Sequence, residues 1–129
     1  MTKTDDLLAS LGRFSEPALH ILISLADGPK HGYAITQDIE TLTGQKPGPG
    51  TLYGAIARLE ARKWIEALPV EERRRPYRLT ASGQKVLRHR LDSMRVIARI
   101  GRARRDPQRR EMHHRVAAAH EIGDERAIA

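Results

Sequence analysis

Lys46-Pro47-Gly48-Pro49-Gly50-Thr51-Leu52-Tyr53-Gly54-Ala55-Ile56-Ala57-Arg58-Leu59-Glu60 is a turn punctuated by proline and glycine that opens directly into a helix. Pro49 fits the first helical turn, where its missing N–H costs nothing, and Gly48 and Gly50 let something come close to the backbone. Leu52, Ile56 and Leu59 recur at helical spacing, which predicts a helix over about 49–63 with that stripe facing inward. Thr51, Gly54, Ala55 and Arg58 are left on other faces. The free amides of such a helix start suit a phosphate. Taken alone the stretch reads equally well as structure or as function, and its neighbours in the chain decide between them.

Upstream, Thr4 or Asp5 can cap a short helix carrying Leu7, Leu8, Leu11 and Phe14, ended loosely by Gly12 and Ser15. Ser15 to Leu25 reads as a second helix, apolar at Leu19, Ile21, Leu22, Ile23 and Leu25 and so buried on most sides. Asp27-Gly28-Pro29 breaks it. A third helix runs from about His31 to Thr41, with Tyr33, Ile35 and Ile39 among polar residues, and Gly44 ends it. Downstream, Trp64-Ile65-Glu66-Ala67-Leu68 reads as a strand, Glu71 to Pro76 as a charged turn and Tyr77-Arg78-Leu79 as the returning strand. Thr80 then caps a long last helix to about Arg105, where Asp106-Pro107 stops it. The expected fold is mainly α with a small β-hairpin wing. A winged helix-turn-helix with an N-terminal helix occupies 1–79, a long C-terminal helix 80–105, and a helical or frayed tail 106–129.

A chain of 129 residues supports one small domain with a modest core. The absence of cysteine excludes disulfides and thiolate metal sites and fits a reducing cytoplasm. No secretory signal is read. The longest apolar run, Ala18 to Ala26, contains His20 and Ser24 and is too short to span a bilayer, so a soluble cytoplasmic protein without a membrane partner is expected. The net charge of +7 is unevenly placed. Residues 1–57 carry four Lys/Arg against six Asp/Glu, residues 58–110 seventeen against six, and residues 111–129 two against four. An arginine-dominated middle segment is an electrostatic footprint for a polyanion, either nucleic acid or an anionic surface.

Four motifs in this order and spacing resemble the PadR family of winged-helix transcriptional regulators. They are His31-Gly32-Tyr33-Ala34-Ile35, Gly50-Thr51-Leu52-Tyr53, Leu59-Glu60 and Arg75-Pro76-Tyr77-Arg78-Leu79-Thr80. The resemblance covers about 16–83, and the helix after Thr80 matches the family's C-terminal dimerisation helix. Two positions depart from the family pattern: Lys63-Trp64 stands where a glycine and an aliphatic residue are common, and Gly54 where proline is common. The resemblance implies a DNA-binding regulator, with phenolic or flat aromatic hydrophobic effectors settling near the dimer centre. Phe14, Trp64 and three tyrosines are the whole aromatic complement, so no effector pocket is read from the sequence.

The physics of the residues agrees with a double-stranded DNA partner. Side chains near a helix N-terminus can read base edges in the major groove, and small Gly48, Gly50 and Gly54 permit that approach. Thr51 can donate to a phosphate or touch a thymine methyl, and the Tyr53 hydroxyl can reach a phosphate. Lys46 and Arg58 flank the helix where phosphates would lie. Arg73-Arg74-Arg75 sit on a turn that cannot bury them, so they are expected to project outward and meet a phosphate or a minor groove. The candidate DNA-binding set is therefore Lys46, Gly50, Thr51, Tyr53, Arg58, Arg73, Arg74 and Arg75.

Along the last helix Leu87, Leu91, Met94, Ala98 and Gly101 alternate four and three residues apart, a heptad seam widened by Ile97 and Ile100. That seam could pack on the chain's own first helix, but a helix of about 25 residues is longer than the small domain needs. A second copy of the chain is therefore read as its partner, and a two-fold dimer would present two helices to a pseudo-palindromic site. The surplus arginines of this helix keep its outer face solvated. Candidates for chemistry are poor. His113, His114 and His120 near Glu111 and Glu121 read as solvated tail groups rather than a metal site, and His20 and His31 as structural or capping groups. No nucleophile with an adjacent base, paired catalytic carboxylates or phosphate loop is present, so neither an enzyme nor a cofactor is expected. The resulting expectation is a ligand-responsive repressor binding as a homodimer. The alternatives are a protein- or membrane-surface docking module and a sequence-independent nucleoid protein.

Overall fold

The computed structural model describes residues 7–106. The Thr4 and Asp5 caps and the histidines at 113, 114 and 120 lie outside the described residues, as does all of the tail beyond Asp106. A helical turn at 7–9 leads into a 3-10 turn, Gly12–Phe14, and then α1, Ser15–Leu25. The next elements are β1 (Lys30–His31), α2 (Gly32–Thr43), α3 (Pro49–Ala61), β2 (Ile65–Ala67), β3 (Pro76–Leu79) and α4 (Ala81–Arg105).

Apolar spacing explains the packing. Leu22 of α1, Ile35 of α2 and Leu59 of α3 are wholly buried, and Leu52, Ala55 and Ile56 complete the inward stripe of α3. Leu8, Leu11, Phe14, Trp64 and Ile65 are buried in the same core. His31 caps α2 as expected, its Nδ1 accepting from the Ala34 amide at 3.4 Å. Gly44 closes the helix in the left-handed conformation at φ 81°.

The expected hairpin wing is present as β2 and β3, and β1 adds a third strand to it. Its order is β1-β3-β2, and both neighbours run antiparallel to β3. Lys30 and His31 face Tyr77 and Pro76, while Ile65, Glu66 and Ala67 face Leu79, Arg78 and Tyr77. A two-residue strand between a proline and a helix start shows no alternation of its own, and pairing with the free edge of β3 is what creates it.

The chain divides into two units, Met1–Arg90 and Leu91–Ala129. Within the first, Thr80 binds two elements at once. Its Oγ1 accepts from the Gly83 amide at 3.0 Å, capping α4, and donates to the Lys63 carbonyl at 2.8 Å, while its amide donates to the Trp64 carbonyl at 3.0 Å. Gly83 is needed there, because a Cβ would lie 2.0 Å from the Trp64 carbonyl oxygen. Val86 and Leu87 follow it into the core. In the second unit Leu91, Met94, Val96, Ile97 and Ile100 are all exposed.

The departure at Lys63-Trp64 has a local consequence. α3 ends at Ala61, two residues before the expected end, and Lys63 turns left-handed at φ 63° as its amide donates to the Glu60 carbonyl at 2.9 Å. A side chain in that region is strained, whereas glycine is not. Lys63→Gly is expected to raise stability by about 0.5–1 kcal/mol, and Gly83→Ala to lower it by about 2 kcal/mol. Thermal melts of the two variants check both signs; a Gly83→Ala protein melting with the wild type would refute the close approach at Trp64.

Candidate nucleic-acid interface

The buried stripe of α3 fixes which of its side chains face outward. Successive residues are about 100° apart around a helix. With Leu52, Ala55, Ile56 and Leu59 inward, Thr51 and Tyr53 fall on opposite flanks, and Gly50, Ala57 and Ala61 form the outermost line. An open cleft lies beside each flank.

The Tyr53 cleft has a volume of about 400 Å³. His31, Gly32 and Tyr33 supply one wall from the start of α2, and Tyr77 with Arg73, Arg74 and Arg75 supplies the other from the wing. Tyr53 is half exposed and lies over Gly32 so closely that a Cβ there would sit 2.1 Å from the phenolic oxygen. Three phenols and three guanidiniums therefore converge beside the start of α2, a donor-rich surface suited to phosphate oxygens.

The wing arginines do not all project freely. Glu71 and Arg74 exchange backbone hydrogen bonds of 2.7 and 2.8 Å, so Glu72 and Arg73 form the turn between them, both left-handed at φ 48° and 67°. A tight turn of this hand matches strand twist and is usually made by Asn or Gly. All three guanidiniums are solvent-exposed, but Arg74 Nη1 lies 3.0 Å from His31 Nε2 and Arg75 Nη1 donates to the Leu68 carbonyl at 2.8 Å. Arg75 is thus oriented by a hydrogen bond, Arg74 only lies against His31, whose Nε2 carries the ring proton while Nδ1 accepts the Ala34 amide, and Arg73 sits at the apex. Arg78 is drawn instead to Glu66 across the sheet.

Lys46 and Thr51 are brought together in the second cleft, about 470 Å³, between Glu16, Pro17 and His20 of α1 and Ile39 and Thr43 at the end of α2. No local pattern in the chain points to a pocket here, because its walls come from three separate segments. Gly50 is exposed, and a Cβ on it would meet nothing within 4 Å, so the chain itself does not demand glycine there. Arg58 enters neither cleft: its guanidinium lies over the Phe14 ring, and Nη1 donates to the Gly54 carbonyl at 3.0 Å. Tyr33 and Tyr77 join the first cleft although neither belongs to the candidate set read from the sequence. Their placement in two of the four motifs is the signal that could have found them.

Partial burial pushes the Tyr77 phenol above its ordinary value of 10.0, and the charges of Glu60 and Tyr53 add to the shift against the opposing pull of Arg75. A raised folded value means that the native state holds this proton more tightly. The associated stability is complete below pH 10 and is lost as pH rises through the folded value. Absorbance titration of tyrosinate should show a late-ionising component that disappears in Tyr77→Phe; retention of that component would refute the assignment.

Among the described residues no helix is long and apolar enough to cross a membrane. The family model described as the transcriptional regulator PadR-like family matches residues 21–89. A 37.1 kDa protein in transposon TN4556 of Streptomyces fradiae is 45% identical over 82 residues, covering 64% of this chain and 24% of that protein. The chain thus spans about a quarter of the length of that relative. The transcriptional regulator Rv3488 of Mycobacterium tuberculosis is 36% identical over 88 residues, covering 63% of this chain and 78% of that protein. The solved structure of a transcriptional regulator from Clostridium thermocellum superposes with a TM-score of 0.59 at 31% identity, covering 65% of this chain and 84% of that one.

Proposed function

The chain belongs to the PadR-like family of transcriptional regulators, and from that premise we propose that it is a sequence-specific, ligand-responsive repressor that binds a pseudo-palindromic promoter site as a homodimer. The observation that carries DNA binding is the convergence of Tyr53, Tyr33 and Arg73–Arg75 beside the outward face of α3. A helix whose outermost line is Gly50, Ala57 and Ala61 can lie deep in a major groove, with Thr51 close to base edges and the wing on the flanking backbone. Lys46 adds a cation at the helix start.

Leu91, Met94 and Ile97, with Ala98 and Gly101, support the homodimer, since this exposed apolar line has heptad spacing. Leu87 does not belong to that set: it is buried in the chain's own core beside Val86, so the seam offered to a partner begins at Leu91. A small hydrophobic or aromatic effector is taken to settle near the centre of this dimer, as the family resemblance implies. By changing the angle between two protomers it would spoil the half-site spacing and release the DNA. A DNA partner is in keeping with a protein of the cytoplasm.

Fluorescence anisotropy against a duplex from the protein's own upstream region and a scrambled duplex, at two salt concentrations, tests the reading. Preference for the native duplex that persists at the higher salt is expected. The Arg73→Ala/Arg74→Ala/Arg75→Ala variant should bind more weakly, its salt slope reduced by roughly 0.9 per phosphate that it no longer neutralises. Equal affinity for both duplexes would overturn sequence-specific regulation in favour of a nucleoid role. Ile97→Glu should run as a monomer in light scattering; a dimer of unchanged affinity would refute the α4 seam.

A further inference from the structure

On the flank of α3 opposite Tyr53, Thr51 and Arg58 stand two helical turns apart on one line. Here the ring of Phe14 is pressed against the helix backbone. A Cβ on Gly54 would lie 2.7 Å from the Phe14 Cε1, so the departure from the family pattern at Gly54 is what makes room for the ring. The Arg58 guanidinium carbon sits 3.9 Å from the ring centroid and that of Arg13 sits 4.8 Å from the same centroid. Phe14 is buried, but both arginines are exposed. Among the described residues no carboxylate forms an ion pair with either.

Two guanidiniums gathered at one ring with no carboxylate partner concentrate positive charge that an anion would offset. We propose that Arg13 and Arg58, seated on Phe14, form a second grip on the DNA backbone, holding the strand on the far side of α3 from the wing. The proposal rests on the DNA-binding reading above and extends it to a residue outside the helix-turn-helix. The major groove is about 12 Å wide and bounded by phosphates on both sides, and a helix about 10–12 Å across fills it. A reading helix is therefore best held by cations on both flanks. The wing supplies one flank, and the second cleft is a poorer choice for the other because Glu16 lines it. Arg58 is also held in place, its face on Phe14 and one N–H on the Gly54 carbonyl. A planar guanidinium so stacked keeps its remaining in-plane donors for a phosphate. Phe14 acts as a positioning residue.

Anisotropy titrations of the full chain with the upstream duplex over a series of KCl concentrations test this. Arg13→Ala and Arg58→Ala should each weaken binding several-fold and lower the magnitude of the salt slope by roughly 0.9, the share of one phosphate, with thermal melts unchanged. Phe14→Leu should weaken binding while leaving the salt slope as in the wild type, and Phe14→Tyr should restore it. If both arginine variants keep wild-type affinity and slope while the wing variants do not, the second grip is refuted and the role of the wing stands. If the wild type binds no duplex at any salt, the DNA-binding reading and this extension fall together. A Phe14→Leu protein that binds as the wild type refutes the positioning role.

Discussion

The inward stripe of Leu52, Ala55, Ile56 and Leu59 is the constraint on which the outer surface depends. Burying a leucine or isoleucine contributes roughly 1.5–3 kcal/mol, whereas an exposed ion pair contributes about 0–1 kcal/mol. Rotating α3 by one residue would expose part of that stripe, a cost that surface interactions do not offset. The rotation of α3, and with it the separation of Tyr53 and Arg58 to opposite flanks, is therefore set by the core. The small residues on the outer line carry no share of this energy, which leaves that face free for another molecule.

Electrostatics then works on a surface the core has already oriented. Lys30 is held by Asp27, whose carboxyl is pulled below its ordinary value by that lysine, and Arg78 is engaged by Glu66. These cations are occupied within the protein. Arg73, Arg13 and Arg58 are in no ion pair among the described residues. Arginine count alone says little about function. The division between engaged and available guanidiniums, together with their places around α3, gives the basic middle segment its direction.

Much of this is legible in the chain because the signals are local. α1 begins and ends at Ser15 and Leu25 as its apolar pattern predicts, Thr80 caps α4, and Pro49 opens α3. What escapes a sequence reading is set by partners distant along the chain. β1 exists through its pairing with β3, and the neighbours of Arg74 and Arg75 are His31 and the Leu68 carbonyl. Heptad spacing cannot reveal that Leu87 belongs to the core, because the same periodicity serves an internal seam and an external one. Nor can it connect Arg13 with Arg58, forty-five positions apart, until Phe14 is seen beneath both.

The joint at Thr80 bears on how a regulator of this design could respond. Thr80 ties the start of α4 to the carbonyls of Lys63 and Trp64 just past the end of α3, and Gly83 lets the two backbones meet with no side chain between them. Such a joint has little slack, since a small displacement would break the hydrogen bonds and part the two backbones. In the proposed dimer, a change in the direction of the first turns of α4 would be carried to α3 as a rigid movement rather than absorbed within the unit. In that proposal an effector would not have to touch the candidate DNA-binding residues. It need only favour one angle between protomers over another, and its influence is limited by its difference in affinity for the two arrangements.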